Sequence, residues 1–106
     1  MDTTLQGSKA SKGTVRGVAN VIHRPEDLEK FQEGQILVTH MTNPDFVPIM
    51  RMAGAVVTEI GGRLCHAAIV SRELGGPAVV NLKGALTLDG CDITVIGDTG
   101  EVIVHG

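Results

Sequence analysis

The stretch AVVTEIGGRLCHAAIVSRELGGPAVV, from Ala55 to Val80, decides the fold. Ala55–Thr58 is a short apolar run suited to a strand, and Gly61-Gly62 then lets the chain turn sharply without Cβ clashes. From His66 to Leu74 the apolar positions Ala67, Ile69, Val70 and Leu74 recur at helical spacing, with Arg72 and Glu73 on the wet side. Gly75-Gly76-Pro77 stops that helix, and Ala78–Val80 reads as the next strand.

Working outward, Gln35–Thr39 is a further strand. Asn43-Pro44-Asp45 supplies a cap, a first-turn proline and an acid ahead of Phe46, Val47, Ile49 and Met50, so a second helix is expected there. Pro48 falls within its first turn, where a missing N–H costs least. Pro25-Glu26-Asp27 before Leu28 and Phe31 predicts a short third helix. Strands are expected at Thr14–Ile22, Ile93–Ile96 and Glu101–Val104, the last two joined as a hairpin through Gly97–Gly100. Residues 1–12 are polar and read as a flexible N-terminal segment. Residues 13–106 then form one compact layered α/β domain carrying extra antiparallel strands.

Composition excludes several classes of function. The chain has 106 residues, 14 of them glycine, and Phe31 and Phe46 are its only aromatics, so the core must be aliphatic and single-strand stacking platforms are missing. A net charge of −3, with nine Lys and Arg residues scattered along the sequence, argues against nucleic acid as a partner. No apolar run is long enough for a membrane span, and the polar start argues against a secretory signal. Two cysteines, Cys65 and Cys91, make no disulfide framework, so a reducing cytoplasm is the expected compartment. Neither a GxGxxG pattern nor a P-loop occurs, and Cys65, His66, Cys91 and the other histidines lack zinc spacing.

The chemistry concentrates at Gly61–Ala68. A glycine turn entering a helix leaves first-turn N–H groups open, and with the helix dipole these favour an anion. His66 sits there with an imidazole competent as a nucleophile near neutral pH. Arg63, three residues upstream, can offer forked donors to the same anion, and Ala67 and Ala68 would keep the rim small. The residues alone leave two readings of His66 open, a capping or surface histidine and a phosphoryl acceptor. Thr58 and Glu59 read as solvating a strand end, Cys65 as structural, and His40 as facing the turn from a strand edge.

Residues 61–80 resemble the phosphohistidine segment of the phosphoenolpyruvate-utilising enzymes. The likeness is greatest to their synthase (pyruvate, water dikinase) branch and more distant to pyruvate phosphate dikinase and enzyme I of the sugar phosphotransferase system. Thr42–Met50, the opening strand Gly13–Ile22 and the closing hairpin up to Gly106 extend the resemblance over the chain from about residue 11. It implies a swivelling β/β/α phosphohistidine domain that carries a phosphoryl group between an ATP-grasp nucleotide site and a phosphoenolpyruvate- or pyruvate-type site on partner domains. His66 then matches the histidine phosphorylated on Nε2, and Arg63 a phosphate contact. Gly61, Gly62, Cys65, Ala67 and Ala68 match the phosphate-binding turn, and Arg72 an arginine that assists docking or holds the loop.

The resemblance also implies that ATP and Mg2+ belong to a partner domain and that this chain alone binds no cofactor or metal. Two departures stand out: Leu64 where the family usually has threonine, and Asn81 where glycine is common. They keep two alternatives in view, a non-catalytic binding or regulatory module and a carrier for a different small-molecule acceptor.

Overall fold

Strands β3 (Thr14–Val21), β4 (Ile36–Thr39), β5 (Ala55–Thr58) and β6 (Ala78–Val80) run parallel to one another, in registers such as Ala19↔Ile36, Ile36↔Ala55 and Val56↔Ala78. Every residue of β4, β5 and β6 is buried, as expected for parallel strands covered on both faces. The computed structural model describes residues 1–106. Helix α1 (Val47–Met52) connects β4 to β5, and α2 (His66–Leu74) connects β5 to β6. On the other side of β3, β7 (Asp92–Ile96) and β8 (Glu101–Val104) form the expected hairpin, antiparallel to β3 through β7.

Side-chain alternation along the parallel strands separates two cores. Ile36, Val38, Val57 and Val79 face one way and pack with Ile93, Val95 and Val102 of the hairpin. Leu37, Val56, Ala78 and Val80 face the other way, against Phe46 just before α1, Ile49 and Met50 of α1 and Ala67 of α2. Antiparallel strands, parallel strands and helices thus stack as β/β/α layers.

Residues 1–12 differ from the expectation. Thr3–Gln6 form β1, paired antiparallel with β8, and Ser8–Ser11 form β2, paired antiparallel with β6. Both lie at the ends of the sheet order β1-β8-β7-β3-β4-β5-β6-β2. An edge strand is held by backbone bonds while its outer side stays wet, so polar side chains there carry no apolar signal. The ordered domain therefore begins at Thr3, ten residues before the boundary at Gly13 that polarity suggested. Only Gly7 separates β1 from β2, so the chain passes from one edge of the sheet to the other and the sheet curls on itself. Closure is tight: a Cβ on Gly97, in the β7–β8 turn, would run into the Ser11 carbonyl.

The segments before α1 are tighter than expected. Pro25–Lys30 and Pro44–Phe46 are 3-10 turns, and α1 itself starts only at Val47. Asn43 does cap its turn, its Oδ1 accepting from Asp45 N at 2.9 Å. A further 3-10 turn, Ala85–Leu88, was not anticipated. No helix is long and apolar enough to cross a membrane.

Candidate functional site

The site lies where β4 and β5 end, at the carboxyl edge of the parallel strands. Thr58 closes β5 by donating its hydroxyl to the Ile60 carbonyl at 2.7 Å, and its own carbonyl accepts from Leu82 N. The chain then reverses through Gly61, whose φ is +127°. A Cβ there would come within 2.9 Å of Cys65 Sγ, so glycine is required for both conformation and space. Gly62 faces open space, and its carbonyl accepts from Cys65 N at 3.1 Å to close the turn.

Helix α2 begins at His66 with Cys65 as its cap residue, in an extended conformation and making no side-chain bond to the first turn. Its ladder begins with Ile69 N donating to Cys65 O at 3.0 Å. The N–H groups of the first turn, on His66, Ala67 and Ala68, therefore keep their anion-attracting character at the positive end of the helix. Ala67 and Ala68 are themselves buried, so they bring backbone donors to the turn and their methyl groups pack inward instead of forming a rim. Cys65 is half-buried against the helix-side core.

His66 is partly exposed, and its Nδ1 lies 2.7 Å from Thr42 Oγ1. Thr42 is buried in the loop after β4. One ring nitrogen is thereby engaged and the other, Nε2, is left as the atom that can react. When Nδ1–H donates to Thr42, Nε2 carries the lone pair a nucleophile needs. In the sequence Thr42 stands out only as part of the family-like stretch Thr42–Met50. Its sequence distance from His66 hides the pairing, and the sole clue is that both residues follow strands predicted to be neighbours.

The other candidates separate. His40 Nδ1 is 2.7 Å from Glu59 Oε1, which ties together the ends of β4 and β5. Arg72 reaches back with Nη1 on the Ala10 carbonyl and Nη2 on the Arg63 carbonyl, both at 2.8 Å. It therefore fastens the glycine turn and β2 to α2. Arg63 is exposed and lines an open groove with Arg72 and β2 residues, a groove to which His66 does not contribute. Leu64, at the tip of the turn, is 83% exposed. Nowhere do three or more His, Cys, Asp or Glu side chains converge as a metal site would need.

Fold and turn together define a layered β/β/α domain with a partly exposed histidine at a helix start. Residues 31–100 match the family described as PEP-utilising enzyme, mobile domain, and the chain belongs to that family. It is 52% identical over 100 residues to a probable phosphoenolpyruvate synthase of Archaeoglobus fulgidus, an alignment that covers 92% of this chain. The chain spans only 13% of that relative's length. Among solved structures, an enzyme I protein studied in solution is 30% identical with a TM-score of 0.62, covering 74% of this chain and 34% of that one. The holo-form of aconitase X from Thermococcus kodakaraensis gives a TM-score of 0.69 over 98% of this chain and 99% of that one. At 15% identity it shares the fold alone.

Proposed function

We propose that this chain is a phosphohistidine carrier, with His66 Nε2 taking a phosphoryl group from a donor on one partner and giving it to an acceptor on another. The observation that carries this reading is the 2.7 Å contact between Thr42 Oγ1 and His66 Nδ1, which reserves Nε2 at the mouth of an uncapped helix. In the forward step the Nε2 lone pair attacks phosphorus. The N–P bond forms as the P–O bond to the leaving group breaks, and the other ring proton stays on Nδ1, donated to Thr42 Oγ1. The new phosphoryl oxygens then face the first-turn amides of α2, which stabilise charge without having to reorganise. Exchange with two partners requires near in-line geometry at each, so a small mobile carrier suits the task.

The donor that the resemblance to the synthase branch implies is ATP on an ATP-grasp domain, and the acceptor a phosphoenolpyruvate- or pyruvate-type site. Acceptor identity lies with the partner. The side chains beside His66 do not fit Mg2+: the nearby carboxylate, Glu59, is bonded to His40. No step here runs through a metal held by this chain, and Mg2+ belongs with the nucleotide.

The test is incubation with a cognate ATP-grasp partner and ATP labelled in each phosphoryl group in turn. Acid-labile, base-stable label that disappears in His66→Ala supports the carrier, and label surviving that substitution refutes it. The second reading, a binding or regulatory module without transfer, draws on exposed Leu64 in place of the family's usual threonine. It predicts partner binding with no label at His66 at all.

A further inference from the structure

The basic residues that look scattered in sequence converge in space. Beside the glycine turn, β2 and α2 border an open groove of about 710 Å³ whose lining includes Lys9, Lys12, Arg63, Arg72, Asp98 and Leu64. Four of the chain's nine Lys and Arg residues meet there against one carboxylate, giving the groove a net +3. Since the whole chain carries −3, everything outside the groove carries −6.

None of the four cations takes part in any ion pair of the chain. Arg72 is held by two carbonyls, which orient its charge without neutralising it. Asp98 is occupied in accepting from Gly13 N at 2.9 Å. In the lining of the groove, two residues before His66 in the chain, Leu64 exposes an apolar side chain with nothing to cover it.

A positive field confined to one face of a negative molecule selects and orients an acidic partner, because like charge repels that partner from every other face. The four cations are all exposed, whereas a small-ligand site needs convergent, enclosed donors. A protein surface fits this open shape better than a free nucleotide.

We propose that this groove is the docking surface for an acidic segment of the protein with which His66 exchanges its phosphoryl group, and that Leu64 is the apolar contact seating that segment beside the histidine. The proposal rests on the carrier reading and gives its turn a defined approach face.

The test uses the Archaeoglobus fulgidus synthase from which the segment aligning with this chain has been excised, its ATP binding verified first. Docking of this chain is read by fluorescence anisotropy in a His66→Ala background, so the measurement stands even if no phosphoryl transfer occurs. Absence of label on His66 would defeat the carrier reading alone. The expected result is a Kd that weakens at least tenfold between 50 and 500 mM salt, as expected where exposed charges are screened (roughly 10 Å Debye length at 0.1 M). At low salt, Lys9→Glu with Lys12→Glu should weaken binding about tenfold or more and flatten the salt dependence, and Leu64→Ser should weaken it without altering that slope.

In the transfer assay with His66 intact, the lysine pair should raise KM and leave kcat unchanged. Unaltered affinity and salt slope in the lysine pair would overturn the proposal. So would tight binding of ATP, tripolyphosphate or a single-stranded oligonucleotide to the isolated chain that the lysine pair abolishes, since the groove would then be a small-anion or nucleic-acid site.

Discussion

Thr42 Oγ1 lies 2.7 Å from His66 Nδ1 and joins the loop after β4 to the first residue of α2. The contact occupies Nδ1 and leaves Nε2 outside it, so on the carrier reading Thr42 is a positioning residue. Thr42→Val keeps the shape of the side chain and removes the hydrogen bond. With a net bond worth about 0.5–1.5 kcal/mol, phosphorylation of His66 should slow by roughly 2- to 13-fold. Nitrogen-15 NMR should show the population protonated on Nδ1 falling in step, with partner affinity unchanged. Thr42→Ser should restore both readouts. A Thr42→Val protein with wild-type tautomer populations would remove Thr42 from the mechanism.

Gly61 and Gly62 are adjacent and alike in sequence, yet the structure asks different things of them. Gly61 holds φ at +127° with Cys65 Sγ pressed against the missing Cβ, while Gly62 has no atom within 4 Å of that position. Gly61→Ala should cost roughly 1–3 kcal/mol in urea unfolding, in keeping with the strain of such a backbone conformation. Gly62→Ala should change stability by no more than about 0.5 kcal/mol. Equal losses at the two positions would contradict the geometry.

The helix His66–Leu74 was readable from sequence to the residue, because an amphipathic pattern and a glycine stop bracket it. So were the buried strands β5 and β6, whose apolar runs have no other use. β1 and β2 were not readable, since edge strands draw their stability from backbone pairing that leaves no mark on residue type. The basic groove was invisible for a related reason. Lys9 and Lys12 reach Arg63 and Arg72 only because β2 pairs with β6. Arg72 was known as a family-like position, but its two carbonyl partners depend on that same unseen strand.

Asn81 shows how a departure in sequence can leave geometry intact. It is the only non-glycine residue with positive φ, at 57°, directly after β6. Asparagine tolerates this left-handed region better than most residues, which accounts for its standing where the family commonly has glycine. Asn81→Gly should leave the melting temperature within a few degrees of wild type. Asn81→Val should lose roughly 1–2 kcal/mol, the cost of a β-branched side chain in that region. Calorimetry distinguishes the two directly.

Ser71, on the inward side of α2, has a buried hydroxyl with no hydrogen-bond partner. Leaving such a group unpaired costs about 1–3 kcal/mol, so Ser71→Ala should stabilise the domain by about 1 kcal/mol after the lost packing of one oxygen. An increase in urea midpoint with unchanged slope is the expected signature. A destabilised Ser71→Ala protein would mean that the hydroxyl has a partner in solution.

Acid sensitivity should originate at the end of the domain away from His66. The Arg16 guanidinium, bonded to Asp92 at 2.7 and 3.1 Å, holds the Asp92 carboxyl below its ordinary value. The His105 side chain and Gly106 N–H do the same for Asp2. A carboxyl with a lowered folded-state pKa binds its proton more readily in the unfolded chain. Its stabilisation is therefore complete above the ordinary value of 3.8 and is lost as pH falls through the lowered one. Between pH 5 and pH 2, urea midpoints should decline in the wild-type protein. Asp92→Asn should be slightly less stable at pH 6 and show a shallower decline, because its side chain has no proton left to take up. Both carboxylates are exposed, so the difference should shrink in high salt. A decline as steep in Asp92→Asn as in wild type would place the acid-sensitive group elsewhere.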